Sequence, residues 1–538
     1  MKLTREGINN TKEWEDKGYI LPKFAIEPMI KATHDHPVWV HFGAGNIFRA
    51  FMANAAQKML DAGKMTSGIV AVDGFDYEII EKQYRPHDNL SVLVTLKADG
   101  SVEKKVIASI GESCILDRDN EKEFSRLKEI FANDSLQFCS FTITEKGYAL
   151  QDRNGNELPA ITADFNAGPQ KATGYLGKVA SLLVWRYQNG KKPVAMVSMD
   201  NCSRNGEKLY TAMDAFAHAW VSRGFVDDGF LQYIESPSSV SFPWSMIDKI
   251  TPRPHPDVQK MIEEDGLELN TVVTSKGTYC APFVNAEECE YLVIEDLFPA
   301  GRPALQDAGL IFTDRATVEK AERMKVGTCL NPLHTSLAIY GCLLGYTRIC
   351  DEMKDPDLVH LIKTVGYVEG LPVATDPKIL NPKEFIDAVV YKRLPNPFMP
   401  DTPQRIATDT SQKLSVRFGE TVKAYVKLGK VHDLHAIPLV YAGWLRYLLA
   451  IDDEGKPMEL SDDPLKEKVQ KELAGISFGE TDLSKLRAAI VPVLKDSSIF
   501  GLDLEEAGLA DEVVADFAKL NAKTGAVRSV LHAFAKQA

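Results

Sequence analysis

The sequence predicts an α/β protein in which strands and helices alternate before about residue 312 and helices predominate after it. Three observations support this class. Short apolar runs such as Val38–Phe42 are followed by segments with the apolar spacing of a helix. Beyond residue 312 the helical spacing is almost uninterrupted. The chain has 538 residues, 45% of them hydrophobic, which is too long for one core. We therefore expect two domains, 1–312 and 313–538.

The first strand and the helix after it are joined by a glycine turn. Val38–Phe42 breaks at Gly43 and Gly45, and apolar residues then recur with helical spacing from Asn46 onward. Glycines at such a turn let backbone N–H groups approach a pyrophosphate at the N-terminus of the helix. The third glycine of the usual fingerprint is missing, so a plain tight turn is the alternative interpretation.

A second strand, Gly68–Val72, follows and ends at Asp73. An acidic residue at this point can accept a hydrogen bond from a ribose hydroxyl and disfavours a 2′-phosphate. The alternative is an ordinary solvated acid. Strand, glycine turn, helix, strand and acid together favour a Rossmann-like dinucleotide-binding domain, with NAD as the cofactor.

The later elements suggest insertions in this domain and a second domain made of helices. Strands are expected near 92–96, 103–108, 137–143 and 193–198, with helices near 174–189 and 206–223. Hairpin-like runs near 271–274 and 289–294 indicate antiparallel additions. Amphipathic helices are expected near 316–324, 332–350, 383–392, 411–427, 436–451, 505–520 and 525–536.

Composition argues against several classes of partner. The formal net charge of −13 disfavours nucleic acid, and no stretch reaches the eighteen uninterrupted apolar residues of a membrane span. Eight cysteines without a CxxC pair indicate neither a zinc knuckle nor a disulfide framework, and suit a reducing cytoplasm. His432 and His435 have HxxH spacing without a visible third ligand, so we predict no metal site.

Lys325, Asn331 and His334 lie within ten residues and combine a potential base with two groups that can bind an oxygen. If a helix begins near Asn331, Asn331 and His334 share one face, and Lys325 can reach the same cavity from the preceding turn. Oxidation of an alcohol without a metal needs a base for the hydroxyl proton and donors for the oxyanion. The alternative is three ordinary residues at a helix end.

Several blocks along nearly the whole chain resemble the polyol-specific long-chain dehydrogenases, the mannitol dehydrogenase family. They are His41–Ala50, Phe141–Tyr148, Ser198–Asn201, Phe242–Pro252, Ile294–Pro303, Glu322–Ala338 and Arg393–Pro397, followed by Arg405 and Lys413. The resemblance implies an NAD-dependent secondary-alcohol dehydrogenase that needs no metal.

The resemblance also implies roles for individual residues. Lys325 matches the general base, Asn331 and His334 match groups that hold the reacting oxygen and its neighbours, Asn201 matches a second amide, and Glu322 matches an acid that passes protons to water. Residues of the sugar site are matched by Asp248, Arg405 and Lys413. Cofactor contacts are expected at Gly43, Gly45, Asn46, Phe48, Arg49, Asp73 and Glu145.

Two departures from the family pattern affect these expectations. Five residues separate Lys325 from Asn331 where the family commonly has four, and we expect the extra residue, beside Gly327, to bulge where strand-like backbone meets the helix. The sequence Ile47-Phe48-Arg49 replaces the usual Phe-His-Arg. Arg49 could then bind a phosphate or pair with a nearby carboxylate.

Two further residues have structural alternatives. Asn201 could cap the helix that follows it, a common use of asparagine after a strand. Asp248 could pair with Lys249 or Arg253 on the surface.

The leading hypothesis is interconversion of D-mannonate and D-fructuronate, since the segment after Lys325 is most like the uronate-acting members. The same chemistry on mannitol and fructose, or on altronate and tagaturonate, is the second hypothesis. A non-catalytic NAD-binding regulatory protein is the third. The expected partner is a small sugar acid or polyol, and the sequence does not determine the oligomeric state.

Overall fold

The computed structural model describes residues 1–152 and 154–536, which form two compact units. The first unit comprises residues 1–97 and 101–319, and the second comprises residues 98–100 and the described chain from 320 onward. The division between them lies inside one helix, Arg315–Met324. The domain limits 1–312 and 313–538 stay a prediction.

Short strands are confined to the first unit. They are β1 Tyr19–Ile20, β2 Trp39–Phe42, β3 Ile69–Asp73, β4 Ser91–Leu96, β5 Val102–Ile107, β6 Ile110–Ile115, β7 Phe138–Phe141, β8 Val194–Ser198, β9 Val240–Ser241, β10 Ser245–Asp248, β11 Val272–Val273, β12 Tyr279–Cys280, β13 Phe283–Glu287, β14 Tyr291–Glu295 and β15 Ile311–Thr313. This distribution holds for the part of the chain that the structure describes.

Helices are present in both units. In the first, or shared with the second, are α1 Thr11–Glu15, α2 Ile26–Asp35, α3 Ala53–Asp61, α4 Tyr77–Ile79, α5 Glu121–Ala132, α6 Pro159–Ala167, α7 Tyr175–Gln188, α8 Asn205–Ser222, α9 Asp228–Glu235, α10 Pro256–Glu264 and α11 Arg315–Met324. The second unit contains α12 Asn331–Leu343, α13 Ile349–Glu352, α14 Pro356–Lys363, α15 Pro382–Ala388, α16 Pro403–Ala407, α17 Glu420–Leu428, α18 Ala436–Tyr447, α19 Lys466–Glu472, α20 Leu483–Leu494, α21 Ser497–Phe500, α22 Ala510–Asn521 and α23 Ala526–Ala535.

The main sheet of the first unit has the strand order β6-β3-β2-β7-β8-β9. Every neighbouring pair in it is parallel. Numbered by their place within this sheet, the strands run 3-2-1-4-5-6, the order of the dinucleotide-binding Rossmann sheet. The order reverses between β2 and β7, so a ligand crevice is expected at the carboxyl ends of these two strands.

Both faces of this sheet are covered. Val40 and Phe42 of β2 belong to one hydrophobic cluster, whereas Trp39 belongs to another. Strand β3 repeats the alternation, with Val70 in the first cluster and Ile69 in the second. Because successive side chains of a strand point to opposite faces, helices packing on both sides account for the almost fully apolar strands that the sequence shows.

The remaining strands form smaller sheets. Strands β1, β5, β4 and β13 make a four-stranded sheet, β10, β14 and β15 a three-stranded one, and β11 with β12 an antiparallel hairpin. The hairpin confirms the interpretation of residues 271–274. For residues 289–294 the antiparallel addition is confirmed, because β14 pairs antiparallel with β10. It is not a hairpin with the neighbouring strand, since β13 pairs parallel with β4.

The second unit is built around two buried helices, α12 and α18. Every residue of α18 is buried, including Arg446, whose guanidinium donates hydrogen bonds to the carbonyls of Ile451 and Asp452. Several helices contain π-helical turns, at Thr364–Gly370, Val389–Arg393, Ser415–Gly419 and Lys325–Cys329. Such turns often mark functional sites in helices. Over residues 1–152 and 154–536, no helix has both the length and the apolar character that crossing a membrane requires.

Candidate active site

The glycine turn after β2 lies at the reversal point of the main sheet. Gly43 has a φ of +109°, and a Cβ atom there would lie 2.2 Å from the carbonyl oxygen of Thr142, just beyond β7. A Cβ atom on Gly45 would meet nothing within 4 Å. Gly43 therefore allows the two strand ends to approach, while Gly45 leaves open space before the helix. That space fits the predicted approach of a pyrophosphate to backbone N–H groups.

Asp73, at the end of β3, stabilises this turn through hydrogen bonds. Its carboxylate accepts hydrogen bonds from the backbone N–H groups of Ala44 (3.1 Å), Phe75 (2.9 Å) and Asp76 (2.7 Å). Burial raises the pKa of the Asp73 carboxyl, and these hydrogen bonds oppose that shift. The alternative of a solvated acid is wrong, because the residue is buried. Its predicted contact with a ribose stays a prediction.

Arg49 has a structural role, but its partners differ from the expected carboxylate. Its guanidinium donates to the carbonyl of Ala281 (2.8 Å) and to the side-chain oxygen of Asn46 (3.0 Å). Both partners are neutral, so the expected pairing with a carboxylate is wrong. Burial lowers the pKa of Arg49. The guanidinium therefore links Asn46, where the helical segment after Gly45 begins, to the loop before β13.

The side chain of Phe48 does not face solvent. Its ring is fully buried and stacks on His41 with 4.1 Å between ring centroids. The ring therefore belongs to the hydrophobic core, and its burial argues against the predicted cofactor contact through the side chain. Only the backbone at Phe48 remains available for the predicted contact.

Asp200 is a residue of this region that the sequence reasoning missed. Its carboxylate accepts from the backbone N–H groups of Ile143 and Thr144, both at 2.9 Å, and from the Tyr148 hydroxyl at 2.6 Å. Thr144 has φ +66° and ψ 158°, a conformation that is essentially restricted to glycine. Asp200 thus holds a strained backbone just beyond β7. The block Ser198–Asn201 had drawn attention only to its asparagine.

The neighbouring predicted residues have ordinary surface or strand-end positions. Glu145 is exposed, and its carboxylate lies 3.1 Å from the Lys208 ammonium. Asn201 is exposed, and α8 begins at Asn205 with Arg204 as its N-cap residue. The alternative that Asn201 caps this helix is therefore wrong.

Asp248 ends strand β10 and is 6% exposed, so the alternative of a surface ion pair does not hold. The ammonium of Lys249 donates to Glu290 (2.9 Å) and to the carbonyl of Glu287 (2.9 Å).

In the second unit, Lys325 begins a π-helical turn that connects α11 to α12. The helix α12 begins at Asn331, as the sequence predicted. The expected strand-like backbone is wrong: the N–H of Leu330 donates to the Lys325 carbonyl at 3.1 Å, so the chain stays helical and the extra residue is absorbed as a wider turn. The Lys325 side chain is 4% exposed, and Glu322, three residues earlier, is half-buried.

His334 is held as a neutral imidazole. Burial lowers its pKa to about 3, with smaller contributions from nearby cations, which are Arg417, Arg405, Arg393 and Lys413. Its Nε2 atom is buried and has no hydrogen-bond partner among the described residues, although the Asp401 carboxylate is 3.6 Å away. A neutral ring with an unused nitrogen can donate to a substrate oxygen without bringing a charge.

Of these four cations, Arg405 and Lys413 were predicted as site residues, whereas Arg417 and Arg393 were not. Arg405 contacts the Asp401 carboxylate, and its side chain is 62% exposed. Lys413 donates to the carbonyls of Thr408 and Ile406, and burial together with Arg417 lowers its pKa. Arg417 was missed, although it lies four residues after Lys413 and therefore on the same helical face.

Two family models match most of the chain. Residues 38–307 match the model of the mannitol dehydrogenase Rossmann domain, and residues 317–521 match that of the mannitol dehydrogenase C-terminal domain. The chain belongs to the mannitol dehydrogenase family.

Relatives in this family include a D-mannonate oxidoreductase from Thermotoga maritima, 49% identical over 99% of this chain and 98% of the relative. Among solved structures, a substrate-free D-sorbitol dehydrogenase is 25% identical, with a TM-score of 0.77 over 95% of this chain and 97% of that chain. A mannitol 2-dehydrogenase from Pseudomonas fluorescens, in complex with NAD and D-mannitol, is 24% identical with a TM-score of 0.68, each chain being fully covered. The predicted fold class, a Rossmann-like domain with insertions followed by a mainly helical domain, is confirmed.

Each unit brings part of the predicted set together. In the first, Gly43, Gly45 and Asp73 meet at the ends of β2 and β3. In the second, His334 and Asn331 share the first turn of α12, and the charges of Arg405 and Lys413 act on His334. The roles of all these residues remain predictions.

Proposed function

We propose that this protein is an NAD-dependent, metal-independent oxidoreductase that interconverts D-mannonate and D-fructuronate. The observation that carries the proposal is the group of cations near a neutral His334. His334 lies on α12, which follows the π-helical turn that begins at Lys325. Lys325, Asn331 and His334 supply the groups for alcohol oxidation, and the nearby cations can bind an anion. A substrate that is both an alcohol and an acid, such as a sugar acid, would use both. The T. maritima relative, named D-mannonate oxidoreductase, supports the choice of substrate.

The chemistry assigned to the second unit is proton transfer and stabilisation of oxygen. Lys325, buried at the start of the π-helical turn, takes the proton of the substrate hydroxyl. Asn331 and His334 donate to the oxygen as negative charge develops on it, and being neutral they need no counter-ion of their own. Glu322, one helical turn before Lys325 and half-buried, would pass the proton on to water. Asn201 keeps its predicted role as a second amide on the strength of the family resemblance.

The cofactor role assigned to the first unit rests on the turn after β2. NAD, when bound, supplies the acceptor for the hydride. The backbone at Gly43 and Gly45 would hold its pyrophosphate, because a side chain at Gly45 would occupy otherwise open space. Asp73 would accept from the ribose and exclude a 2′-phosphate, which favours NAD over NADP. A metabolic enzyme of this kind would act in the cytoplasm.

Oxidation of D-mannonate tests this function. We expect the purified protein to form NADH from D-mannonate and NAD⁺, at the same rate with and without EDTA. Inhibition by EDTA that zinc reverses would contradict the metal-independent chemistry. Failure to oxidise D-mannonate, altronate or mannitol while NADH still binds would instead indicate a regulatory protein.

A further inference from the structure

Arg417 is a cation near His334 whose one hydrogen bond goes to a neutral hydroxyl. It lies in the π-helical turn Ser415–Gly419 and is half-buried. Its guanidinium donates one hydrogen bond, to the hydroxyl of Thr335, the residue after His334 in α12. Among the residues that the structure describes, no carboxylate forms an ion pair with Arg417. Burial lowers its pKa to about 10, so the guanidinium is still charged at neutral pH.

Two of the other cations, Arg405 and Lys413, have more of their charge satisfied within the protein. The Arg405 guanidinium contacts the Asp401 carboxylate, and the Lys413 ammonium is held by two backbone carbonyls. A desolvated charge without a counter-ion is costly in a folded protein, and such groups cluster at functional sites. Arg417 has several N–H donors left after its bond to Thr335, and a guanidinium can present two of them side by side to a carboxylate.

We propose that Arg417 binds the carboxylate of the sugar-acid substrate and is the residue that selects uronates over neutral ketoses. The inference rests on the proposed function and goes further, because it assigns the carboxylate to a residue other than Arg405. Its bond to Thr335 fixes the guanidinium one residue from His334 along α12. The carboxylate is several bonds from the carbon that is oxidised, so its cation need not touch the reacting oxygen.

Substitution of Arg417 with two substrates tests the assignment. In Arg417→Ala, kcat/KM for D-fructuronate should fall about 10- to 150-fold, mainly through KM, the loss expected for a charge-assisted hydrogen bond. The value for D-fructose should change less than about threefold. Arg417→Lys should recover part of the loss, since it keeps the charge without the planar fork. Guanidinium ion added at millimolar concentration should partly restore fructuronate reduction by Arg417→Ala.

The control is Lys423→Ala, which removes an exposed cation of α17 that pairs with Glu420. It should leave both substrates unaffected. Equal losses on fructuronate and fructose, or no rescue by guanidinium, would overturn the assignment. If Arg417→Ala fails to fold, Arg417→Lys decides by itself: a raised KM for fructuronate alone supports the assignment, and unchanged kinetics overturn it. A wild-type protein inactive on both D-mannonate and D-fructuronate would instead contradict the proposed function.

Discussion

His334 should make the protein less stable as the pH falls, and the size of the effect follows from its burial. Burial and neighbouring cations lower the pKa of its imidazole to about 3, whereas an unfolded histidine titrates near 6.5. Between these values the unfolded chain binds a proton that the folded chain does not. Stability is therefore lost as the pH falls from about 7.5 toward 3. At pH 5 the loss amounts to about 2 kcal/mol, from 1.36 kcal/mol per pH unit over 1.5 units.

The assay compares wild type with His334→Gln, which keeps a polar side chain and cannot be protonated in this range. Urea unfolding at pH 8 and pH 5 should show wild type losing about 2 kcal/mol more than the variant between the two pH values. The His334 resonances in an NMR titration should not move above pH 5. Equal pH dependence in both proteins, or a midpoint near 6.5 for His334, would refute the view that this imidazole works as a neutral donor.

Three further predictions concern the two units separately. Lys325→Ala should lower kcat by roughly 10²- to 10⁴-fold, the usual contribution of a general base, and should leave the affinity for NADH nearly unchanged. Turnover of the variant near that of wild type from pH 6 to 10 would show that the base is another residue. Gly43→Ala should lower the midpoint of thermal unfolding, because its Cβ would clash with Thr142. Gly45→Ala should keep that midpoint and weaken NADH binding, and identical effects of both substitutions would contradict the assigned roles. Asp73→Ser should narrow the preference for NAD over NADP. It should also lower the free energy of unfolding by about 1–3 kcal/mol, since buried N–H groups lose their acceptor. A wild-type preference for NADP would contradict the role of Asp73 in cofactor choice.

Much of the fold could be predicted because the main strands and longest helices carry strong periodicity. The strand before Gly43, the strand ending at Asp73 and the helix beginning at Asn331 all lie where the sequence indicated. The pairing of β13 and β14 was not predictable, since register and partner depend on strands far away in the chain. The turn after Lys325 was misjudged because a π-helical turn has no distinct residue pattern; one inserted residue looks the same as an extended bulge.

The candidate site was predictable only where the chemistry lies in the residue type itself. A lysine, an asparagine and a histidine in one short segment suggested a base and two donors. Arg405 was expected because it matches a residue of the family's sugar site. Arg417 was missed because whether a cation is already paired is a property of tertiary structure, and its only described partner is a hydroxyl. Asp200 was missed for the same reason, because its backbone partners at residues 143 and 144 are distant in sequence.

The most direct test of the account is the specificity of the wild-type protein, measured as kcat/KM for NADH oxidation with D-fructuronate, D-tagaturonate and D-fructose. The account predicts a value for fructuronate at least about tenfold above that for fructose, equivalent to roughly 1.4 kcal/mol of transition-state binding, and above that for tagaturonate. Equal activity on fructose would contradict the role given to the cations around His334, and higher activity on tagaturonate would contradict the choice of substrate.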